Sequence, residues 1–152
     1  GGLLMGAVAN MAPECYAGVE ADVPFVDALT SILDPSLPLT VTEWDEWGDP
    51  LHDADVYAYM KLYTPYENAP DSENDERTAV FPKIFITTSM NDTRVLYVEP
   101  MKWLARLQHA GVDAVAKIEV EAGHGGTSGR YKQWEEVSYE NAWCLSMMGI
   151  GG

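Results

Sequence analysis

Basic residues, histidines and cysteines are all scarce in this chain, and each scarcity narrows what it can be. Lys and Arg number nine against 24 Asp and Glu, for a net charge of −15. Nucleic acid and anionic membrane are poor partners for such a surface, and a cationic ligand suits it better. General solubility, or adaptation to salt, is the plainer reading of the same charge. The two cysteines, Cys15 and Cys144, lie far apart and each has apolar neighbours. That predicts two buried free thiols and no disulfide. No apolar run reaches the roughly 18 residues of a membrane span, and no basic segment precedes the apolar start, so no signal peptide is recognisable. The chain opens on Gly1-Gly2-Leu3 and not on methionine, so a fragment or a processed product is expected.

Core-forming material, by contrast, is plentiful. Hydrophobic residues make up 47% of the chain and five are tryptophan, enough for one domain with its own core and too much for a disordered chain. No internal repeat is visible. Strand-like and helix-like segments alternate, which is the pattern of an α/β fold with a parallel sheet. Helices are predicted over 1–12, 25–33, 53–62, 98–110 and 130–148, and strands over 17–23, 83–88 and 115–120. Asp53 and Asp55 suit the N-terminal end of the third helix. Pro100 fits the first turn of the fourth, and Gly111 ends it. Val98, Met101, Leu104 and Ala105 share the predicted buried face of that fourth helix; Trp134, Val137, Cys144, Leu145 and Met148 share that of the last. The stretch 37–50, rich in Trp, Glu and Asp, reads as an irregular loop, and the acidic stretch 67–78 as a surface loop or insertion.

Two loops carry candidate chemistry. Ser89-Met90-Asn91-Asp92-Thr93-Arg94-Val95 follows the second strand, and Glu121-Ala122-Gly123-His124-Gly125-Gly126-Thr127 follows the third. Ligand sites in open α/β sheets gather at the C-terminal ends of the strands. Glycines on both sides of His124 free the backbone to present its ring. An Asp on one loop and a His on the next suit an orienting pair, in which the carboxylate fixes the imidazole tautomer and the other ring nitrogen takes a proton from a nucleophile. Asp before His is also the order of the α/β-hydrolase triad. On spacing alone, a helix-capping Asp and a solvated Gly-His-Gly loop stay open. His52 and His109 have no such setting and read as surface residues. His52, Asp53 and Asp55 are adjacent without any defined ligand spacing, so neither a metal nor another cofactor is expected.

Longer runs are more specific. Gly-Gly-Leu-Leu-Met-Gly-Ala-Val-Ala-Asn at 1–10, Val-Pro-Phe-Val-Asp at 23–27, Glu-Trp-Gly at 46–48, Asn-Asp-Thr-Arg-Val-Leu-Tyr-Val-Glu-Pro at 91–100 and Gly-His-Gly-Gly-Thr-Ser-Gly-Arg at 123–130 resemble segments of the prolyl oligopeptidase family of serine peptidases, most closely its oligopeptidase B branch. The resemblance covers nearly the whole chain apart from 67–78. It implies that residues 1–152 are the C-terminal part of an α/β-hydrolase catalytic domain. In the family the nucleophile stands in Gly-Gly-Ser-Ala-Gly-Gly, and Gly1 and Gly2 match its last two glycines. The serine, the oxyanion-hole groups and the N-terminal β-propeller that gates the domain then belong upstream, and the polypeptide alone is expected to be inactive.

The same resemblance assigns roles. Asp92 and His124 match the acid and the base of the triad. Family members cleave peptides and not folded proteins, and the oligopeptidase B branch prefers bonds after Arg and Lys. The implied partners are therefore peptides with basic residues and the propeller of the same chain, in a cytoplasmic setting. Glu43 and Asp45 match the acidic pair that binds the basic P1 side chain, with Asp45 standing where the family often has Glu. Two carboxylates can pair with the fork of a guanidinium. Arg94 matches an arginine that hydrogen-bonds a substrate carbonyl, a salt bridge to a nearby carboxylate being the alternative. An esterase, an acylaminoacyl-peptidase or a prolyl oligopeptidase would share the triad order, and a non-catalytic binding module is the other class. The acidic pair argues against an apolar pocket, and an intact Asp92 and His124 argue against the binding module.

Overall fold

The computed structural model describes residues 1–120 and 130–151, with only the backbone described at residue 130. Three strands, β1 (Gly18–Asp22), β2 (Lys83–Ser89) and β3 (Ala114–Glu119), form a parallel sheet in the order β1-β2-β3. Val19, Ile84 and Ala114 stand in one row across it, and Glu20, Phe85 and Val115 in the next. Because side chains alternate along a strand, these rows lie on opposite faces.

The first face carries the main core. Val19, Ala21, Ile84, Ile86 and Ala114 pack with Ala9 of α1 (Gly2–Met11) and with Trp103, Leu104 and Leu107 of α6 (Val98–His109). The predicted face of α6 is thus rotated. Val98 and Ala105 are exposed, while Pro100, Trp103, Leu104 and Leu107 are buried, because the indole at 103 brings far more apolar area than Ala105 can. α1 seats closely: a Cβ on Gly2 would lie 2.3 Å from the Cα of Pro24, so only glycine lets its first turn rest on that backbone.

The second face is covered by α7 (Arg130–Met147), and its buried stripe also differs from the expected one. Trp134 is 57% exposed and Met148 71%. Contact with the sheet runs instead through Tyr139, itself 57% exposed, Trp143 and Met147, spaced four apart: the first two rings lie 5.7 and 5.5 Å from that of Phe85, and a Cβ on Gly18 would meet the side chains of Trp143 and Met147. Cys144 is half-buried with its Sγ 2.9 Å from Oε2 of Glu20, and that hydrogen bond, with burial, pushes the thiol up to about 11. Cys15 is exposed. Both thiols are free, but neither is the buried apolar group that its neighbours in sequence suggested.

A second, smaller core explains the other difference. Residues 40–47 form a helix, α3 (Thr40–Trp47), where an irregular loop was expected. Thr40, Trp44 and Trp47 recur at i, i+4 and i+7, a helical stripe that the intervening acids disguise. It packs on α2 (Ala28–Ile32) and near Met60 of α4 (Ala54–Lys61). Thr40 Oγ1 donates to the Ser31 carbonyl at 2.7 Å and Trp44 Nε1 to that of Ile32 at 3.0 Å, so side chains of α3 bond carbonyls at the C-terminal end of α2, where helical partners run out. Asp53 caps α4 through its Oδ1, at 2.9 Å from Asp55 N and 3.2 Å from Val56 N. The acidic stretch after α5 (Pro65–Asn68) is pinned by Arg77, which donates to Asp75 and to the Asn68 carbonyl. No helix among the described residues is long and apolar enough to cross a membrane.

Candidate active site

β2 is the middle strand, and the turn that leaves its C-terminal end presents Asp92. Met90 N donates to the Glu119 carbonyl at 2.9 Å, and Asn91 Nδ2 to that of Val120 at 2.8 Å. These two bonds tie the turn to the end of β3. Asp92 then folds back on its own loop: its Oδ1 accepts from Arg94 N at 2.8 Å and Val95 N at 3.0 Å, the side-chain-to-backbone turn that Asp forms readily. The residue is only 4% exposed. A carboxylate so held is aimed, which is what an orienting acid requires. His124 lies outside the described residues, as do 121–129 as a whole.

A cleft of about 270 Å³ opens beside this turn, between it, α2 and α3. Phe25, Ile32, Leu39, Val95 and Leu96 supply apolar wall, and among the described residues Glu43, Arg94 and Glu99 are its charged ones. Glu43 is half-buried, and its Oε2 accepts from Trp47 Nε1 at 2.6 Å. Arg94 is exposed and, among the described residues, forms no ion pair with either glutamate. The structure thus brings Glu43 and Arg94 to one cleft. It does not bring Asp45 there: two positions on along a helix is a rotation of about 200°, and Asp45 is exposed and absent from the lining.

His52 is exposed and bonded through Nδ1 to Asp49 at 2.7 Å, while Asp53 is engaged as a helix cap. His109 is an exposed residue of the last turn of α6.

Glu99 escaped the sequence reading. It sits in the first turn of α6 at 3% exposure, with Oε1 accepting from Ser31 Oγ at 2.5 Å and Oε2 from Asp27 N at 3.0 Å. Burial pushes its pKa up to about 7. Beside it the Asp27 carboxylate is paired with Lys102 and accepts from Thr30 Oγ1 at 2.8 Å. A glutamate in a first turn ordinarily reads as a partner of the helix dipole; the available signal was its position four before Trp103, on the buried side.

The strained residue Val23, with φ of 40°, lies where β1 hands over to Pro24 at the same edge of the sheet. A β-branched residue rarely adopts that conformation.

Residues 1–151 match the model of the prolyl oligopeptidase family. Protease 2 of Moraxella lacunata is 46% identical over 99% of this chain and 21% of its own length. Dipeptidyl aminopeptidase BI of Pseudoxanthomonas mexicana is 42% identical over 99% of this chain and 20% of its own. Among solved structures, oligopeptidase B from Leishmania major superposes with a TM-score of 0.88 at 38% identity, covering 97% of this chain and 20% of that one. Oligopeptidase B from Trypanosoma brucei, with covalently bound antipain, gives 0.89 at 36%, covering 99% and 21%. The chain therefore spans about a fifth of the length of the relatives it matches.

Proposed function

This chain belongs to the prolyl oligopeptidase family and has its α/β-hydrolase fold, and from that premise we propose that it is the C-terminal part of the catalytic domain of a serine oligopeptidase that cleaves peptides after Arg and Lys. The nucleophilic serine and a gating N-terminal propeller belong to a preceding part of the full-length protein. Asp92 orients His124; His124 takes the serine proton as Oγ attacks the scissile carbonyl carbon, and returns it to the leaving amine. Water then repeats the sequence on the acyl-enzyme. Arg94 holds a substrate carbonyl from the rim of the cleft. Glu43 meets the basic P1 side chain directly, and Asp45 adds charge from outside it.

The observation that carries this reading is the Asp92 turn, a buried carboxylate fixed by two backbone N–H groups and tied to the end of the strand that precedes His124. The test is cleavage by the full-length enzyme of peptides that differ only at P1. Arg and Lys peptides are expected to be cut far faster than a Leu peptide. Equal rates would overturn the basic specificity, and no cleavage of any of them would overturn the peptidase.

A further inference from the structure

Glu99 makes two hydrogen bonds, one to each oxygen, whereas an ionised carboxylate can accept about four. Half of its capacity is thus unused on a residue that lines the cleft. The nearby cation is already committed: Lys102, from the next turn of α6, pairs with Asp27 and lies 4.5 Å from the centroid of the Tyr66 ring. Burial works against the charge on Lys102, and the Asp27 carboxylate more than restores it. From the other elements around the cleft, Glu43 of α3 and Arg94 of the Asp92 turn are, among the described residues, the charged ones that join Glu99 in the lining. With Asp27 and Lys102 cancelling behind it, the cleft holds two glutamates and one arginine among the described residues.

We propose that Glu99, and not Asp45, is the second carboxylate of the basic-side-chain cleft, so that a guanidinium or ammonium entering past Glu43 ends on Glu99. The inference rests on the reading of this cleft as the P1 pocket. It also makes binding proton-linked. Without a cation in the cleft, Glu99 is partly protonated near neutral pH because burial disfavours its charged form. An arriving cation favours the charged form and drives the proton out, so that binding weakens as pH falls below about 7, with a limiting slope of about tenfold per pH unit.

The test uses the full-length enzyme, with agmatine as a guanidinium probe that has no scissile bond, and with paired Arg and Leu P1 peptides. Agmatine binding, followed by calorimetry at pH 6 in two buffers of different ionisation enthalpy, is expected to release close to one proton. Glu99→Gln keeps the acceptor for Asp27 N. It is expected to lower the Arg-to-Leu ratio of kcat/KM by about thirtyfold or more, mainly through KM for the Arg peptide, and to abolish the proton release. An unchanged ratio in Glu99→Gln, alongside a lost preference in Glu43→Gln, would overturn the role of Glu99 and leave the P1 pocket standing. Parallel losses on both peptides, with proton release retained, would mark Glu99 as structural only. Should the variant not fold, agmatine binding to the unmodified enzyme without proton release overturns the proposal by itself. A wild-type enzyme indifferent to Arg would instead sink the underlying reading.

Discussion

The Asp92 turn and helix α3 both carry carboxylates proposed to serve the reaction, one orienting His124 and one meeting substrate, yet they hold them in opposite ways. Asp92 is buried and locked by two backbone N–H groups, and its turn is bonded to the end of β3. Glu43 has one side-chain bond to Trp47 on the next turn of a short surface helix, and Asp45 is exposed. An orienting acid must fix a ring to within a fraction of an ångström, so it belongs on rigid backbone at the end of a central strand. A carboxylate that selects a cation acts largely through charge, which falls off gently with distance and tolerates looser support.

Substitutions can break this contrast. The largest effect is expected from Asp92→Asn, which keeps the shape but stabilises the wrong imidazole tautomer. The kcat of the full-length enzyme should fall by about 10⁴-fold with its preference for Arg over Leu retained; a change in preference would mean that the two regions are not separate in function. Glu43→Gln should do the reverse, lowering kcat/KM for an Arg peptide by about thirtyfold to several-thousandfold, the equivalent of roughly 2–5 kcal/mol, while sparing a Leu peptide.

Stability should show a third difference. The folded-state pKa of Glu99, about 7, stands above its ordinary 4.5, so the native state binds more protons in that interval. The associated stability is fully present below about pH 4.5 and is lost as pH rises through 7, a change on the order of 3 kcal/mol. Denaturant titrations at pH 5 and pH 8 should show this slope in the wild type and not in Glu99→Gln. Asp45→Asn should have the smallest consequence, under about tenfold in KM for Arg peptides and shrinking further in high salt, as befits an exposed charge.

Much of the architecture was legible from local pattern. The strand Lys83–Ser89 is a compact apolar run, and the sheet order places its C-terminal turn, with Asp92, beside the end of β3. Helix α3 was not legible, because Glu43, Asp45 and Glu46 dilute a stripe of only three residues, two of them tryptophans whose N–H groups find partners that sequence cannot reveal. The stripe of α7 was misread for a related reason. Trp134, Leu145 and Met148 are the more conspicuous apolar residues, but the sheet offers one large ring, Phe85, and helix rotation follows that contact. Glu99 was missed because its role depends on Asp27 and Ser31, about seventy positions away in the chain.

The central claim is that this chain supplies the acid and the base of one triad. The most direct measurement is the separation of the Asp92 carboxylate from the nearer ring nitrogen of His124 in an experimental structure of the full-length enzyme. A value of roughly 2.6–3.2 Å, with the other ring nitrogen turned toward a serine Oγ, is the result expected. Side chains on opposite faces of the sheet, or an Asp92 carboxylate bonded wholly within its own turn while His124 points to solvent, would contradict it.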